Sequence, residues 1–370
     1  MTARLAISPL VPDITATFGV SNGLIGLALT GMWAAYAIVQ FPSGVLGERY
    51  GERRVILLAL VLSALGALLL AVAPTFLLFA LFAVGLGAGA SLYFPVATVF
   101  LSRRFENQGQ ALGFHTMGAP LAGIAAPVAA AALAVRFGWR TALLIAPVLI
   151  IPAALLFARY VEPTPPVNPT GSLRDRIDPG VLVDLLSRPP VAFTTVIGCI
   201  TVFTWQAYAS FFPTFLIEFW GVSTQRASVA FGGVFVVSAV GLPVLGRLSD
   251  RFSRDWTLAA ALAATGIGLA IFLLGRSLLL VTLGVLVMGV GMGWGGVIQS
   301  RFMDLFSEEE RGTGYGFVRS VYMFIGASGS VVTGMLADTA GWPVAYGLVV
   351  VILGVAVLAL AGNRLLGTGL

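Results

Sequence analysis

Lysine is absent from the 370 residues, histidine and cysteine occur once each, and charged residues make up only 10% of the chain, against roughly 25% in soluble domains. Each shortage excludes something. Without lysine there is no Schiff-base chemistry and no phosphate-loop lysine. Cys199 stands alone in an apolar run, so it forms no internal disulfide and leaves the redox compartment open; a buried structural thiol is its expected state. The low charge, with 58% hydrophobic residues and a mean hydropathy of +0.97, excludes a water-soluble globular enzyme. What fills the chain instead is 45 Gly, 19 Pro and 25 Phe spread through long apolar runs, a mixture tolerated where neighbouring helices and lipid replace water. This is the composition of a polytopic helical membrane protein. The net charge of +5 comes from arginine outnumbering the acids. Nothing resembles a cleavable signal peptide, because Met1 to Phe18 carries one Arg, is broken by Pro9 and Pro12, and precedes no polar domain.

A helix needs about 20 apolar residues to cross the hydrocarbon core. Eleven stretches qualify, near Asn22 to Ser43, Val55 to Val72, Phe76 to Leu101, Ala111 to Val135, Thr141 to Ala158, Val191 to Phe219, Ala227 to Leu245, Thr257 to Leu274, Leu278 to Met303, Thr313 to Ala337 and Val344 to Gly362. The segment before Asn22 is a twelfth, incomplete one, too short and too rich in proline to span, as though half of helix 1 were missing. Between Tyr160 and Pro190 lies the only extended polar stretch, with Pro163, Pro165, Pro166 and Pro169 followed by Arg174, Asp175, Arg176 and Asp178. It divides the chain into a first six-helix bundle at 1–160, a linker at 161–189 and a second bundle at 190–370. Sorting Arg by alternating loops puts about fourteen on the linker side and about four opposite. The positive-inside rule therefore makes the linker cytoplasmic in a multi-pass plasma-membrane protein.

The halves match each other at an offset of about 202 to 203 residues. Gly19, Val20 and Ser21 recur as Gly221, Val222 and Ser223; Gly44, Leu46 and Arg49 recur as Gly246, Leu248 and Arg251; Glu106, Gly109, Gly113, Phe114, Gly138 and Trp139 recur as Glu309, Gly312, Gly316, Phe317, Gly341 and Trp342. Six spans per half give the two repeats the same orientation, and parallel repeats in one chain point to a secondary transporter.

At the linker-side end of span 2 stands Gly44-Val45-Leu46-Gly47-Glu48-Arg49-Tyr50-Gly51-Glu52-Arg53-Arg54, and at that of span 8 Gly246-Arg247-Leu248-Ser249-Asp250-Arg251-Phe252. These loops resemble the signature loop of the major facilitator superfamily: Gly, two residues, a small residue, Asp, Arg, an aromatic and Gly, then basic residues. Glu48 stands in place of the Asp in the first copy, and Ser253 in place of the second Gly in the other. The resemblance covers essentially the whole chain. It implies an all-α membrane protein with the major-facilitator-like twelve-helix fold, whose two six-helix bundles rock about a central site lined by helices 1, 4, 7 and 10 and parts of 2, 5, 8 and 11. Gly44 and Gly246 then permit close helix packing, while Glu48 or Asp250 pairs with Arg49 or Arg251 across the cytoplasmic gate as it closes. An ordinary charged loop obeying the positive-inside rule is the bland alternative.

Ionisable groups inside a span are costly and are functional hypotheses by default. Arg319 lies about six residues into span 11, roughly 9 Å deep, with Tyr315 and Tyr322 on its face; the competing reading is an Arg snorkelling to the surface. Arg4 maps by the repeat onto Gln206, mid-span beside Trp205 and Tyr208, unless it is only a flanking charge. His115, at nearly the depth of Arg319, is a proton-coupling candidate, a donor to an anion, or a hydrogen-bonded packing histidine. Trp33, Tyr36, Gln40 and Ser43 share one face of span 2, and Trp294 and Gln299 on span 10 could touch a ligand, whereas Arg301 and Asp304 suit the gate. Gly85, Gly87 and Gly89, with Gly289, Gly291 and Gly293, read as helix-packing glycines because the strand-turn-helix setting of a dinucleotide fingerprint is missing.

No Asp or Glu falls near the middle of a span, which weakens proton-coupled efflux of cations. Two cavity arginines favour an anion instead, since guanidinium stays charged and holds carboxylates or oxyanions through paired hydrogen bonds. The expectation is therefore a non-enzymatic, alternating-access transporter of a small anion, a carboxylate or an oxyanion such as nitrate or nitrite. Arg4, Tyr36, Gln40, Gln206, Trp294, Arg319 and Tyr322 shape its site and a proton is the candidate co-transported ion. It is expected to need no cofactor, metal or nucleic acid, and to work as a monomer in the bilayer. Efflux of hydrophobic or cationic compounds is the second reading, and a non-transporting sensor or scaffold on the same fold the third.

Overall fold

The computed structural model describes residues 1–167, 169, 179–275, 277–308 and 310–370. Arg174, Asp175, Arg176, Asp178 and Glu309 lie outside the described residues. Among those described, helices form twelve rods and there is no strand. The first, α1, runs as Thr2–Ile7, a 3-10 turn at Ser8–Leu10 and Val11–Phe18. Pro9 and Pro12 remove two backbone donors and tighten its middle. The rods that follow are α2 (Asn22–Tyr50), α3 (Glu52–Val72) and α4 (Phe76–Ser91 and Tyr93–Arg104). The run Gln108–Leu143 turns at Gly138, whose φ of 80° and ψ of 161° are non-helical; α5 precedes that turn, and α6 follows it into Ile145–Tyr160. A short linker helix, Pro179–Ser187, leads to α7 (Pro189–Trp220), α8 (Thr224–Arg251), α9 (Arg254–Leu274), α10 (Leu278–Gly291 and Trp294–Leu305), α11 (Glu310–Gly326 and Gly329–Ala340) and α12 (Trp342–Leu366). Ten of these are long and apolar enough to cross a membrane; α6 is apolar but shorter. Several rods extend beyond the predicted spans on the linker side, because charged residues there lie in water and need not end a helix.

The repeated residues mark backbone corners. Gly19 and Gly221 end α1 and α7 in the left-handed conformation (φ 63° and 70°), and Ser21 and Ser223 then cap α2 and α8 by accepting from the Leu24 and Arg226 amides. Only glycine takes that φ cheaply, and serine is a preferred cap. Gly138 and Gly341 turn the chain in the same way, and the following tryptophans anchor the corners, Trp139 donating to Thr17 Oγ1 at 2.8 Å and Trp342 to Glu218 Oε2 at 2.9 Å. Ser8 Oγ donates to the Ser210 carbonyl across 202 residues. Because 202 is the repeat offset, the same position of the two repeats is in contact, which happens only on the axis relating them; α1 and α7 lie along that axis.

On the side away from the linker the halves are sealed. The Asp338 carboxylate of α11 accepts from the Asn22 and Gly23 amides at 3.1 and 2.6 Å, an anion on the N-terminus of α2. Thr30 Oγ1 donates to the Ala327 carbonyl at 3.0 Å and accepts from the Val331 amide at 3.1 Å, satisfying the break between the two parts of α11. A Cβ added at Gly26 would lie 2.5 Å from the Ser330 carbonyl, and one at Gly334 would collide with the Asn22 carbonyl. The symmetry-related seam brings Gly123 of α5 against the Phe235 ring of α8. Small residues thus allow backbones to touch where lipid gives no hydrophobic drive.

The linker side is braced within each half. Glu52 pairs with Arg103 in the first half, and in the second Arg254, the repeat counterpart of Glu52, donates through Nε to Asp304 Oδ2 at 2.9 Å. Arg301 is buried, donating to Asp255 at 2.9 Å and to Thr194 Oγ1 at 2.7 Å. Arg188, after the linker helix, donates to Glu310 Oε1 at 2.8 Å and Asp184 Oδ2 at 3.2 Å. Hydrogen bonds from Arg188 and the Ser307 amide hold the Glu310 carboxyl below its ordinary range.

Two outcomes follow. Gly87→Ala drives a Cβ into the Met32 carbonyl, whereas a Cβ at Gly85 meets nothing within 4 Å. The first substitution is expected to cost about 1–3 kcal/mol and to lower the thermal midpoint in detergent, while Gly85→Ala leaves it unchanged; equal midpoints would contradict the packing. Because the Glu310 value is depressed, its contribution is complete above the ordinary carboxylate value and is lost as pH falls through the lowered one. Hydrogen exchange of the Pro179–Ser187 helix should therefore accelerate only below that range, and Glu310→Gln should accelerate it already at neutral pH.

Candidate functional site: a central cavity open to the linker side

Sealing at one end and bracing within each half leave a cavity of about 980 Å³ between the halves. Residues near the linker-side ends of α2 and α11, among them Gly44, Glu48 and Tyr315, form its mouth. The wall is largely apolar, with Trp33, Phe41, Phe94, Trp205, Met292, Trp294 and Met323; Gln40, Gln206, Gln299, Thr98, Thr116 and Tyr322 add hydrogen-bonding groups. Among the described residues, its charged members are Glu48 at the mouth and Arg319.

Arg319 lies nine residues into α11, because that helix begins at Glu310, three residues before the predicted start. Its guanidinium lies 5.8 Å from the Phe94 ring centre and within electrostatic reach of Tyr322, Tyr315 and Tyr36. The Tyr322 ring is buried and stacks on Phe302 at 5.9 Å. Snorkelling to the surface does not describe this arginine, since it lines the cavity. Tyr36 Oη accepts from Gln40 Nε2 at 3.2 Å, and the Tyr36 ring meets Trp33 edge-on at 5.8 Å.

Arg4 is placed differently from its expected position on the wall. It is 8% exposed and lies behind Trp33 and Tyr36, its guanidinium 4.5 and 4.1 Å from their ring centres. Nη2 donates weakly to Met1 Sδ at 3.4 Å, while Nε and Nη1 are buried without a partner. Gln206, its repeat counterpart, is 1% exposed with Oε1 unpartnered, and does line the cavity. Tyr36, like Arg4, is set back from the wall, because Trp33 and Gln40 on the same helix cover it.

His115 does not line the central cavity. Its ring lies against Tyr93 at 5.5 Å and Phe94 at 5.8 Å, and Nε2 is buried without a partner. It borders a separate cleft of about 870 Å³ between the linker-side ends of α4 and α5, shared with Arg104, Glu106, Asn107 and Gln110. Depth along a helix was readable from the repeat, but the face on which His115 lies was not. Phe94, between the imidazole and Arg319, carries no distinguishing signal in an apolar run.

The gate residues also differ from expectation. A Cβ at Gly44 or Gly246 would meet nothing within 4 Å, so neither glycine supports close packing while the mouth is open. Asp250 pairs with Arg254 inside its own half, and Arg49 and Arg251 lie over the neighbouring Tyr50 and Phe252 rings at 5.4 and 5.7 Å. Arg301 serves the bracing of α7, α9 and α10 through Thr194 and Asp255. The helix-packing reading of the glycine pairs holds for Gly87, Gly89, Gly289, Gly291 and Gly293 but not for Gly85, which faces open space. Among the described residues, no three His, Cys, Asp or Glu side chains are grouped as metal ligands.

The profile of the Major Facilitator Superfamily matches residues 1–221 and again 194–365. The chain is 24% identical over 366 residues to a hexuronate transporter of Bacillus subtilis, covering 91% of this chain and 85% of the relative. It is 24% identical over 327 residues to a probable nitrate transporter, NarT, of Staphylococcus epidermidis, covering 84% and 79%. Among solved structures, a bacterial homolog of the human lysosomal transporter Spinster, inward-facing and unoccupied, is similar with a TM-score of 0.82 over 98% of this chain and 94% of that one at 18% identity. The nucleoside transporter NupG gives 0.83 over 98% and 96% at 14% identity. With two parallel repeats about one axis, a seal on one side, a cavity on the other and a family profile spanning nearly its whole length, the chain belongs to the major facilitator superfamily of multi-pass membrane transporters.

Proposed function

We propose that the chain carries a small anion, a carboxylate or an oxyanion such as nitrate or nitrite, by alternating access. The units 1–160 and 190–370 rock about the α1/α7 axis as a monomer in the plasma membrane, with the linker in the cytoplasm. The carrying observation is the pair of arginines: Arg319 on the wall, and Arg4 behind it with two buried nitrogens unpaired, while among the described residues the wall's one acid, Glu48, is at the mouth. A buried cation without a counter-ion is expensive, and an anion entering between the halves relieves that cost. Arg319 holds it by paired hydrogen bonds, Gln206, Gln40 and Tyr322 supply further polar contacts, and Trp33, Trp205 and Trp294 enclose its apolar body. Arg4 reaches it once Trp33 or Tyr36 shifts. The two relatives are named for the transport of hexuronate and nitrate, both of them anions. His115, the proton-coupling candidate, is separated from the cavity by the Phe94 ring, which relays no proton, so coupling through it acts by the packing of that ring.

Efflux of hydrophobic or cationic compounds is the second reading, favoured by the aromatic wall and opposed by Arg319. Binding separates the two. Titration of the purified protein with a panel of carboxylates and oxyanions is expected to find one that binds, with Arg319→Ala weakening it at least about 30-fold, the lower bound for truncating one partner of a buried charge pair. Arg319→Lys should restore part of the affinity. Unchanged anion affinity in Arg319→Ala would contradict the assignment.

A further inference from the structure

We propose that the anion is a planar aromatic monocarboxylate with a hydrogen-bond donor at the end opposite its carboxylate, and that Gln206 is the residue that reads that donor. This rests on the anion reading above and narrows it. Contacts between helices fix the depth of each group in the cavity. On α7 and α11, which run side by side in the same direction, a Cβ at Gly198 would touch the Tyr322 ring and one at Gly329 the Phe203 carbonyl. Arg319, one turn nearer the mouth than Tyr322, is therefore about level with Thr195, and Gln206 lies about eleven residues deeper, roughly 16 Å along the axis. On the antiparallel α2, Thr30 bonds to Ala327 and Val331 while Phe41 lies against Gly316. Trp33 is thereby set near the depth of Ile325, between Arg319 and Gln206. Met323 joins it on the wall, and Trp205, its ring edge-on to Phe235 at 5.6 Å, stands beside Gln206.

The wall is thus cationic at one depth, apolar through the next and polar again at its deep end. The hydroxyls of Thr98 and Thr116 are spent on carbonyls of their own helices, and Gln40 donates to Tyr36 Oη. Gln206 differs: it is buried, and its Oε1 has no partner. Such an acceptor is satisfied by a hydroxyl or N–H that the ligand brings. At the other end one guanidinium presents two parallel donors to one carboxylate. Among the described residues Arg319 is the one cation on the wall, since Arg4 lies behind Trp33, so a second carboxylate at the deep end would set acceptor against acceptor at Gln206. Between the ends, the rings favour a flat apolar body packed edge-on or offset, whereas a polyhydroxylated body would give up hydration there without replacement. Nitrate reaches Arg319 and leaves the rings and Gln206 unused. A benzene ring with a carboxylate and a hydroxyl at opposite ends, hydrogen-bonded at both, spans about 12 Å between the protein atoms it joins; the two side chains take up the rest of the difference in depth.

The test is titration calorimetry of the purified full-length protein with 4-hydroxybenzoate, benzoate, 4-methoxybenzoate, glucuronate and nitrate. The expected order places 4-hydroxybenzoate at least about 10-fold tighter than benzoate, because a site built to bond a hydroxyl rejects the analogue without one. The methoxy compound, which accepts but cannot donate, should bind no better than benzoate, and glucuronate and nitrate more weakly than either. Gln206→Met should erase the preference for the hydroxyl while keeping the affinity for benzoate. Equal binding of the hydroxy and methoxy compounds, or a preference that survives Gln206→Met, overturns the proposal; if that variant does not fold, the ligand series on the wild-type protein decides. Binding of nitrate or glucuronate in preference to the aryl carboxylates removes this inference and leaves the anion reading standing. Failure of the anion reading itself would appear instead as unchanged affinity in Arg319→Ala.

Discussion

A guanidinium removed from water is stabilised by an anion, by hydrogen bonds or by the face of an aromatic ring. For Arg4 the fold supplies the rings of Trp33 and Tyr36 and a weak contact to sulfur, and leaves two nitrogens unmatched. For Arg319 it supplies Phe94 and three tyrosines. Both arginines therefore persist as cations held by partial compensation, one from each half, Arg319 on the wall of the gap and Arg4 covered behind it by Trp33 and Tyr36. The apolar cavity, the covered position of Arg4 and the location of the wall's acid at the mouth all act on the energy of that pair. Arg301 shows the alternative arrangement: buried in the same bilayer-spanning half as Arg319, it is paired with Asp255 and hydrogen-bonded to Thr194, so it braces helices and has nothing left to offer a ligand.

The internal repeat turns this electrostatic arrangement into a mechanical one. The Ser8–Ser210 contact lies on the axis between the halves, so rotation about it moves α2 against α11 and α5 against α8 together. On the sealed side these pairs approach until carbonyls meet glycine, and such contacts are bistable, because a packed seam is either made or parted. On the open side the charged groups are occupied within their own halves, Glu52 with Arg103, Asp250 and Asp304 with Arg254. In the proposed alternating access, closing the mouth exchanges one set of contacts for the other.

Much of this was legible in the sequence where the backbone itself imposes the residue. Gly19-Val20-Ser21 and Gly138-Trp139, with their copies, repeat because a left-handed turn needs glycine and a helix start needs a cap. The repeat register also gave the pairing of Arg4 with Gln206. What sequence could not give was direction around each helix axis. Arg4 and Tyr36 were expected on the cavity wall but are covered by Trp33 and Gln40, and His115 faces a side cleft, since one residue's shift rotates a side chain by about 100° and a uniformly apolar span leaves its inner face unmarked. Gly44 and Gly246 differ for another reason: a Cβ at either meets nothing within 4 Å with the mouth open, and a motif does not say which conformation of the proposed cycle a structure holds.

Trp33, Trp205 and Trp294 line the cavity, so intrinsic fluorescence reports directly on what enters it. The central claim is that the occupant is an anion held through Arg319. Titration of the wild-type protein with carboxylates and oxyanions on one side and organic cations on the other is expected to give a saturable fluorescence change with an anion, none with the cations, and loss of the anion response in Arg319→Ala. A saturable response to a cation that survives removal of Arg319 would contradict it.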